Sequence, residues 1–440
     1  MVSLLIAAAL CPAAQADSVM TITLGEALQI ALSENPSVKV ADKEIEVKKY
    51  AKKGSYAALF PDVNASGSFN RTLKKQVMTM DMGGQSMSIE VGRWNTVNGG
   101  VSATMPLVNA QLWKSLKISG EDVELAVEKA RSSRLEMVNQ VKQAWYGVLL
   151  AKEADKVYRS VYENAVQNCE LTEKKYNASR ASELDLTRAK TSVANAVPGM
   201  YQAENAVYLA LWQLKAVMGI DLDAAVDVAD SLNAYAGELG SGLFPDAEDL
   251  SGNSSLRQLE MQAEQLANSI KVQKYANLPS LALAASYTVN AMENELNFSQ
   301  YDWFPYSYVA LSLSIPIFAG GKRHSAVRQA RLQAEELDIQ RENTERQLRI
   351  AIRQSLSTME TAAKSYTSAL DALESAEKAY DIASKSYEVG RSTLTDLNDA
   401  RLALTQAQLS ASQAIYNYVV AKAGLESTLG TDYTEQNTLQ

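Results

Sequence analysis

The feature that most constrains this chain is an internal duplication. Asn35-Pro36-Ser37-Val38 matches Asn253-Ser254-Ser255-Leu256 at an offset of 218 residues, and the same offset carries Phe60-Pro61 onto Leu278-Pro279 and Phe69 onto Tyr287. Met105-Pro106-Leu107-Val108 matches Ile315-Pro316-Ile317-Phe318 at 210, and Tyr176, Arg180, Asp185, Leu186 and Ala189 fall on Tyr387, Arg391, Asp396, Leu397 and Ala400 at 211. Met218-Gly219 lands on Leu429-Gly430 at that same offset. Ordered landmarks with slowly drifting offsets are the mark of a repeated structural unit. The shift of eight residues falls between Phe69 and Pro106, where the first copy has the longer loop, polar and rich in methionine around Gly83-Gly84.

Each copy reads helix, strand, strand, helix, tip, helix. In the first, Thr23 stands three residues before Glu26 as a capping box, and Asn35-Pro36 starts a second helix with Asn as cap and Pro in the first turn, ended by Pro61. Val63, Ala65, Gly67 and Phe69 alternate with polar residues, as do Val97, Gly99, Val101, Ala103 and Met105. In the second copy Leu281, Leu283, Ala285, Tyr287 and Val289 share one strand face, and Val309, Leu311, Leu313 and Ile315 another. Tyr301, Trp303, Phe304, Tyr306 and Tyr308 cluster where that last strand begins, and Pro61, Pro106, Pro279 and Pro316 bound the four strands. Leu107 to Tyr176 and Lys322 to Tyr387 contain no proline; the former would span about 105 Å as helix. Met359, Ala363, Tyr366, Leu370, Leu373, Ala376, Tyr380, Ala383 and Tyr387 advance 28 residues in eight steps, the 3.5-residue period of coiled coils. Val141, Trp145, Val148, Tyr158, Tyr162, Ala165 and Cys169 form the matching stripe, which reads as packing rather than a cofactor box.

These patterns divide the chain into a signal peptide (1–16), a first repeat (17–219, hairpin about 61–106, tip about 177–183), a connector (220–252), a second repeat (253–430, hairpin about 279–316, tip about 388–394) and a tail (431–440). The signal peptide rests on the apolar run Val2 to Leu10 followed by Ala14-Gln15-Ala16, with cleavage expected before Asp17, although the usual basic start is missing. Removal would leave Cys169 as the lone thiol and no internal disulfide. The connector, with Gly237, Gly240, Gly242 and Phe244-Pro245, is expected to pack outside the main body.

Composition closes off several functions. A single histidine and two cysteines exclude a His/Cys metal cluster and a disulfide framework, a net charge of −9 argues against a nucleic-acid partner, and beyond the N-terminus no apolar run reaches the length of a spanning helix. No nucleophile triad, phosphate-binding glycine loop or metal spacing is present, so neither an enzyme nor a cofactor is expected. Four strands with one apolar side fit an outer-membrane barrel closed by further copies; the same alternation also suits a soluble sandwich.

The duplicated plan, the Asn-Pro-Ser-Val element, the Pro-Leu-Val and Pro-Ile-Phe strand ends, and the tip motif Tyr387-x-x-Gly390-x-x-Thr393-x-x-Asp396-Leu397-x-x-Ala400-Arg401 resemble the TolC-type outer membrane efflux proteins, from about Thr21 to Gly430. The resemblance implies a mainly α fold with a small β part. Long coiled-coil-like helices would build a periplasmic α-barrel, and four strands per chain would contribute to a 12-stranded outer-membrane barrel of a homotrimer. It also implies a passive exit duct served by an inner-membrane pump through a periplasmic adaptor. Carried over by position, Asp396 and Asp399 match acidic rings at the periplasmic entrance, and Tyr387 and Asp185 match a tyrosine–aspartate bond that holds it closed. Arg180, Ser182, Arg391 and Thr393 mark the adaptor-docking grooves, with Arg188 and Arg391 as tip ion-pair partners. Gly390 supplies a helix-ending conformation. Ser179 departs from the glycine expected opposite it, and Glu183 adds a charge. First-turn carboxylates that merely serve the helix dipole are the plain alternative for the acidic pair. A periplasmic coiled-coil adaptor or structural protein is the alternative for the whole, although an adaptor is expected to carry one hairpin in a split β-domain, not a duplicated unit. Lys322 and Arg323 are expected to meet lipid headgroups or to cap the strand–helix junction.

Overall fold

The computed structural model describes residues 20–82, 85–239 and 249–431. The signal segment, Gly83-Gly84, the breaks at Gly240, Gly242 and Phe244-Pro245, and the tail beyond Thr431 lie outside them. The elements in order are β1 (Met20–Ile22), α1 (Leu24–Glu34), α2 (Pro36–Ala57), β2 (Asp62–Arg71), β3 (Gln76–Met82), β4 (Gln85–Val91), β5 (Asn95–Val108), α3 (Ala110–Asn177), α4 (Glu183–Met218), β6 (Val226–Val228), α5 (Ser254–Tyr275), β7 (Ser280–Glu293), β8 (Phe304–Ser314), α6 (Lys322–Glu388) and α7 (Leu394–Leu429). The chain forms two compact units: 43–128 with 258–342, and the remainder.

The first of these units holds an antiparallel sheet in the order β2-β5-β7-β8. Its register explains the alternation read from the sequence. Val63, Ala103, Ala285 and Val309 lie in one row, as do Ala65, Val101, Tyr287 and Ser307, and Met105, Leu283 and Leu311 in a third. The alternating valine and leucine positions therefore come to one face, while Asn64, Ser102, Ser286 and Tyr308 form a row on the other. Phe304, Tyr306 and Tyr308 belong to this second face. They do not join Val309, Leu311 and Leu313 as an aromatic girdle, because a period of two separates even from odd positions; Tyr306 and Tyr308 stack on each other at 5.8 Å. The stretch expected as a loop between the first two strands instead contains the hairpin β3–β4. At the end of β8, the Arg323 guanidinium donates to the Pro316 carbonyl at 3.1 Å and caps the junction into α6.

The other unit holds the main core. Trp145, Val141, Val148 and Leu149 of α3 pack with Leu28 of α1, Leu214 and Met218 of α4, and Ile415 and Leu425 of α7, all nearly inaccessible. The described part of the connector does not pack outside this body. Val226 and Val228 of β6 pair in parallel with β1, and they enter the core with Leu232 of the following short 3-10 turn, because their alternation gives the connector an apolar side of its own. On the α6 stripe, Met359, Ala376 and Tyr387 are buried as expected, but Leu370 is exposed and Ala369 takes its place.

The matched landmarks of the two copies turn out to touch. Asn35 caps α2 by accepting from Ser37 N–H at 2.7 Å and donates from Nδ2 to the Val217 carbonyl at 2.7 Å. Asn253 does the same for α5, accepting from Leu256 N–H at 3.0 Å and donating to the Thr428 carbonyl at 2.7 Å. Gly219 and Gly430 end α4 and α7 in the left-handed region, with φ of 75° and 72°. A Cβ on Gly430 would stand 2.1 Å from the Gly252 carbonyl oxygen, so only glycine fits there. Arg131 bridges this crossing, donating to the carbonyls of both Gly252 and Gly430 at 3.0 Å.

Candidate functional site at the two helical tips

Both tips lie in the helical unit and are built alike. Helix α3 ends when Ser179 N–H bonds to the Tyr176 carbonyl (2.8 Å) and Arg180 N–H to the Lys175 carbonyl (2.7 Å). Helix α6 ends with Gly390 N–H on Tyr387 (3.1 Å) and Arg391 N–H on Ser386 (2.8 Å). This pairing of bonds needs a left-handed residue just past the helix. Gly390 takes φ 79°, and Ser179, the departure from the expected glycine, takes φ 55°, so the first turn keeps the shape of the second.

The returning helices start alike too. Ser182 caps α4 and Thr393 caps α7, each in a reciprocal box with the aspartate three residues on. Asp185 Oδ2 accepts from the Ser182 hydroxyl at 2.7 Å, and Asp396 Oδ2 from the Thr393 hydroxyl at 2.7 Å. The hydroxyl and backbone N–H of Thr393 hold the Asp396 carboxyl below the usual aspartate range. Asp396 and Asp399 are both exposed, one turn apart. At the equivalent places in the first tip stand Asp185 and Arg188. Arg180, Arg188 and Arg391 are exposed and make no ion pair among the described residues of the single chain.

The bond expected between Tyr387 and Asp185 is not made within the chain. Asp185 is engaged by its own cap, and the Tyr387 hydroxyl lies 2.5 Å from Thr172 Oγ1 of α3. Thr172 already donates to the Asn168 carbonyl at 2.6 Å, so Tyr387 is the donor to Thr172. The Lys175 ammonium donates to the Tyr387 carbonyl and sits 4.1 Å above its ring, and burial pulls its pKa down. Leu394, Leu397 and Ala189 close around the tyrosine. Thr172 and Lys175 escaped the sequence reading. The stripe that placed Tyr387 in the interior was the signal that a partner was needed, but that partner lies 215 residues away.

Farther along the same helices a second polar set links α3, α6 and α7. The Tyr380 hydroxyl donates to Asn164 Oδ1 at 3.0 Å, Asn164 donates to Ser160 Oγ at 3.2 Å, and Arg401 donates to that same Oγ at 2.8 Å while facing the Tyr380 ring at 5.2 Å. Asn164 and Arg401 of this set border a cavity of about 800 Å³ that is also lined with Asn168, Asn195, Asn398 and Gln406. Neutral amides and hydroxyls of this kind pack helices against one another and offer neither nucleophile nor metal ligands. No group of three or more His, Cys, Asp or Glu that could hold a metal occurs among the described residues.

Two helices of 68 and 67 residues, each turning back into a helix of 36, together with an antiparallel sheet that bears one apolar face, define a channel subunit of the outer membrane. The sequence pattern of the outer membrane efflux proteins matches residues 27–220 and again 248–431, and the chain belongs to that family. It is similar to outer membrane protein TolC of Escherichia coli K12 (23% identical over 347 residues, 77% of this chain and 70% of that one). It is likewise similar to the alkaline protease secretion protein AprF of Pseudomonas aeruginosa (24% over 424 residues, 94% and 85%). Its fold matches the Campylobacter jejuni CmeC outer membrane channel with a TM-score of 0.73 at 18% identity, over 94% of this chain and 88% of that one. The protein is thus an outer-membrane transport duct, not an enzyme.

Proposed function

We propose that three copies of this chain close into the exit duct of a tripartite efflux or type I secretion system. The duct passively conducts what an inner-membrane pump and a periplasmic adaptor deliver. The open sheet carries this reading. Among the described residues β2 pairs only with β5 and β8 only with β7, and the face bearing Val63, Val309, Leu311 and Leu313 is more than 60% exposed at each of these positions. Bare edges and a bare apolar face call for closure and for lipid. Three chains of four strands supply both as an even-numbered barrel with its polar face inward. The named role of AprF in protease secretion favours a duct wide enough for protein cargo.

The tips form the closed periplasmic entrance of that duct. Tyr387, held by Thr172 and Lys175, locks the second tip to the first. Asp396 and Asp399 repeat around the threefold axis as a ring that draws cations, and Asp185 sets the cap of the neighbouring helix. The adaptor engages the outer surface of the turns, at Arg180, Ser182, Arg188, Gly390, Arg391 and Thr393, and opens them. The test is the native mass of the protein extracted from separated outer membranes. A three-chain assembly is expected; a soluble periplasmic monomer would overturn the duct and leave an adaptor-like coiled-coil protein in its place.

A further inference from the structure

The hairpin β3–β4 pairs with no other strand among the described residues. Its register sets Met78 opposite Ile89 and Met80 opposite Met87, with Val77–Glu90 and Thr79–Ser88 between them. Alternation therefore gathers Met78, Met80, Met87 and Ile89 on one face and leaves Val77, Thr79, Ser88 and Glu90 on the other. The three methionines are 49%, 51% and 60% exposed. Four of the chain's 13 methionines, at 78, 80, 82 and 87, fall in this one ten-residue stretch. The apolar face of the large sheet is mostly valine, leucine and alanine, with Met105 as the methionine the fold places there, whereas this short hairpin carries three on one face. What methionine adds is a polarizable thioether on a flexible stem.

Thioethers are soft ligands that select Cu(I)-like ions over hard or borderline ones. Directly opposed residues of a ribbon have Cβ atoms about 5 Å apart, and diagonal neighbours about 7–8 Å. Met80 and Met87 are directly opposed and Met78 is diagonal to Met87, so three unbranched side chains can bring their sulfurs to one point above the ribbon. We propose that the face formed by Met78, Met80 and Met87 binds a soft monovalent cation, Cu(I) or Ag(I), through thioether sulfur. Neutral sulfur ligands lose no proton on binding, so the affinity is independent of pH, unlike that of carboxylate, imidazole or thiolate sites. The site requires neither the trimer nor the tip gate, and it stands apart from the duct reading.

The test uses the full chain in detergent with Cys11→Ser and Cys169→Ser, because Cys169 is a free thiol that would compete for the same ions. Ag(I) is titrated in chloride-free buffer against a competing chelator, and the bound ion is examined by X-ray absorption. The expected result is one Ag(I) per chain in a sulfur shell. Affinity should be unchanged between about pH 5 and pH 8. Met78→Leu with Met80→Leu and Met87→Leu, which keeps the face apolar, should lower it by about tenfold or more. Met87→Leu alone should lower it several-fold, and this variant decides the matter if the triple one misassembles. Undiminished binding in the leucine variants, a nitrogen or oxygen shell, or a loss of affinity on acidification would each overturn the proposal.

Discussion

At the scale of single residues, the two tips pose one backbone problem and solve it with different side chains. A left-handed residue other than glycine costs about 1–2 kcal/mol. Ser179→Gly should therefore stabilise the first hairpin by up to about 1 kcal/mol, and Gly390→Ala should destabilise the second by a similar amount, both read from denaturant midpoints. Gly390 has open space around it, so the cost there is conformational only. Gly430 differs: a methyl group would meet the Gly252 carbonyl as well as the left-handed strain, and Gly430→Ala should cost clearly more, about 3 kcal/mol. The Asp396 cap has a pH signature. Its carboxyl titrates lower in the folded chain than in the unfolded one, so its stabilisation is complete above the ordinary aspartate value and is lost as pH falls through the lower folded value. Hydrogen exchange at the start of α7 should rise over that acid window, and Thr393→Val should flatten the response.

At the scale of elements, strands and helices were legible because each periodicity has one physical source. Val63, Val101, Tyr287 and Leu311 alternate because one sheet face is apolar, and the helical stripes repeat because a neighbouring helix covers them. The misreadings share a cause as well. Thr79, Ser88 and Glu90 make the β3–β4 hairpin look like loop, since its apolar face is mostly methionine and Val77 on the opposite face blurs the alternation. The connector looked external because Val226, Val228 and Leu232 are too few to show a period, yet they fill the core. Tyr387 was legible as buried, but its contacts with Thr172 and Lys175 depend on how two distant helices are brought together, which no local pattern encodes. The sheet faces can be told apart by experiment. Leu311→Arg should weaken membrane assembly by about 2–4 kcal/mol if it faces the bilayer centre. Ser286→Arg, on the opposite face, should assemble normally.

At the scale of the whole molecule, the proposed entrance would open by breaking the small tip contacts that each copy of the chain carries. Tyr387→Phe removes one neutral hydrogen bond per chain, about 1 kcal/mol, and should shift the closed–open balance roughly fivefold for each independent tip. Planar-bilayer recordings should show a higher open fraction at unchanged full conductance. Asp396→Ala with Asp399→Ala should weaken block by divalent cations about tenfold; unchanged block would remove both from the constriction. The contacts of Asn35 with Val217 and of Asn253 with Thr428 bear on how such a subunit is held together. Each half of the polypeptide fastens its last helix to its own beginning. Those two fastenings are made within a half, whereas the core, where Trp145 shares a cluster with Ile415 and Leu425, is made between halves, so neither half holds a complete interior without the other.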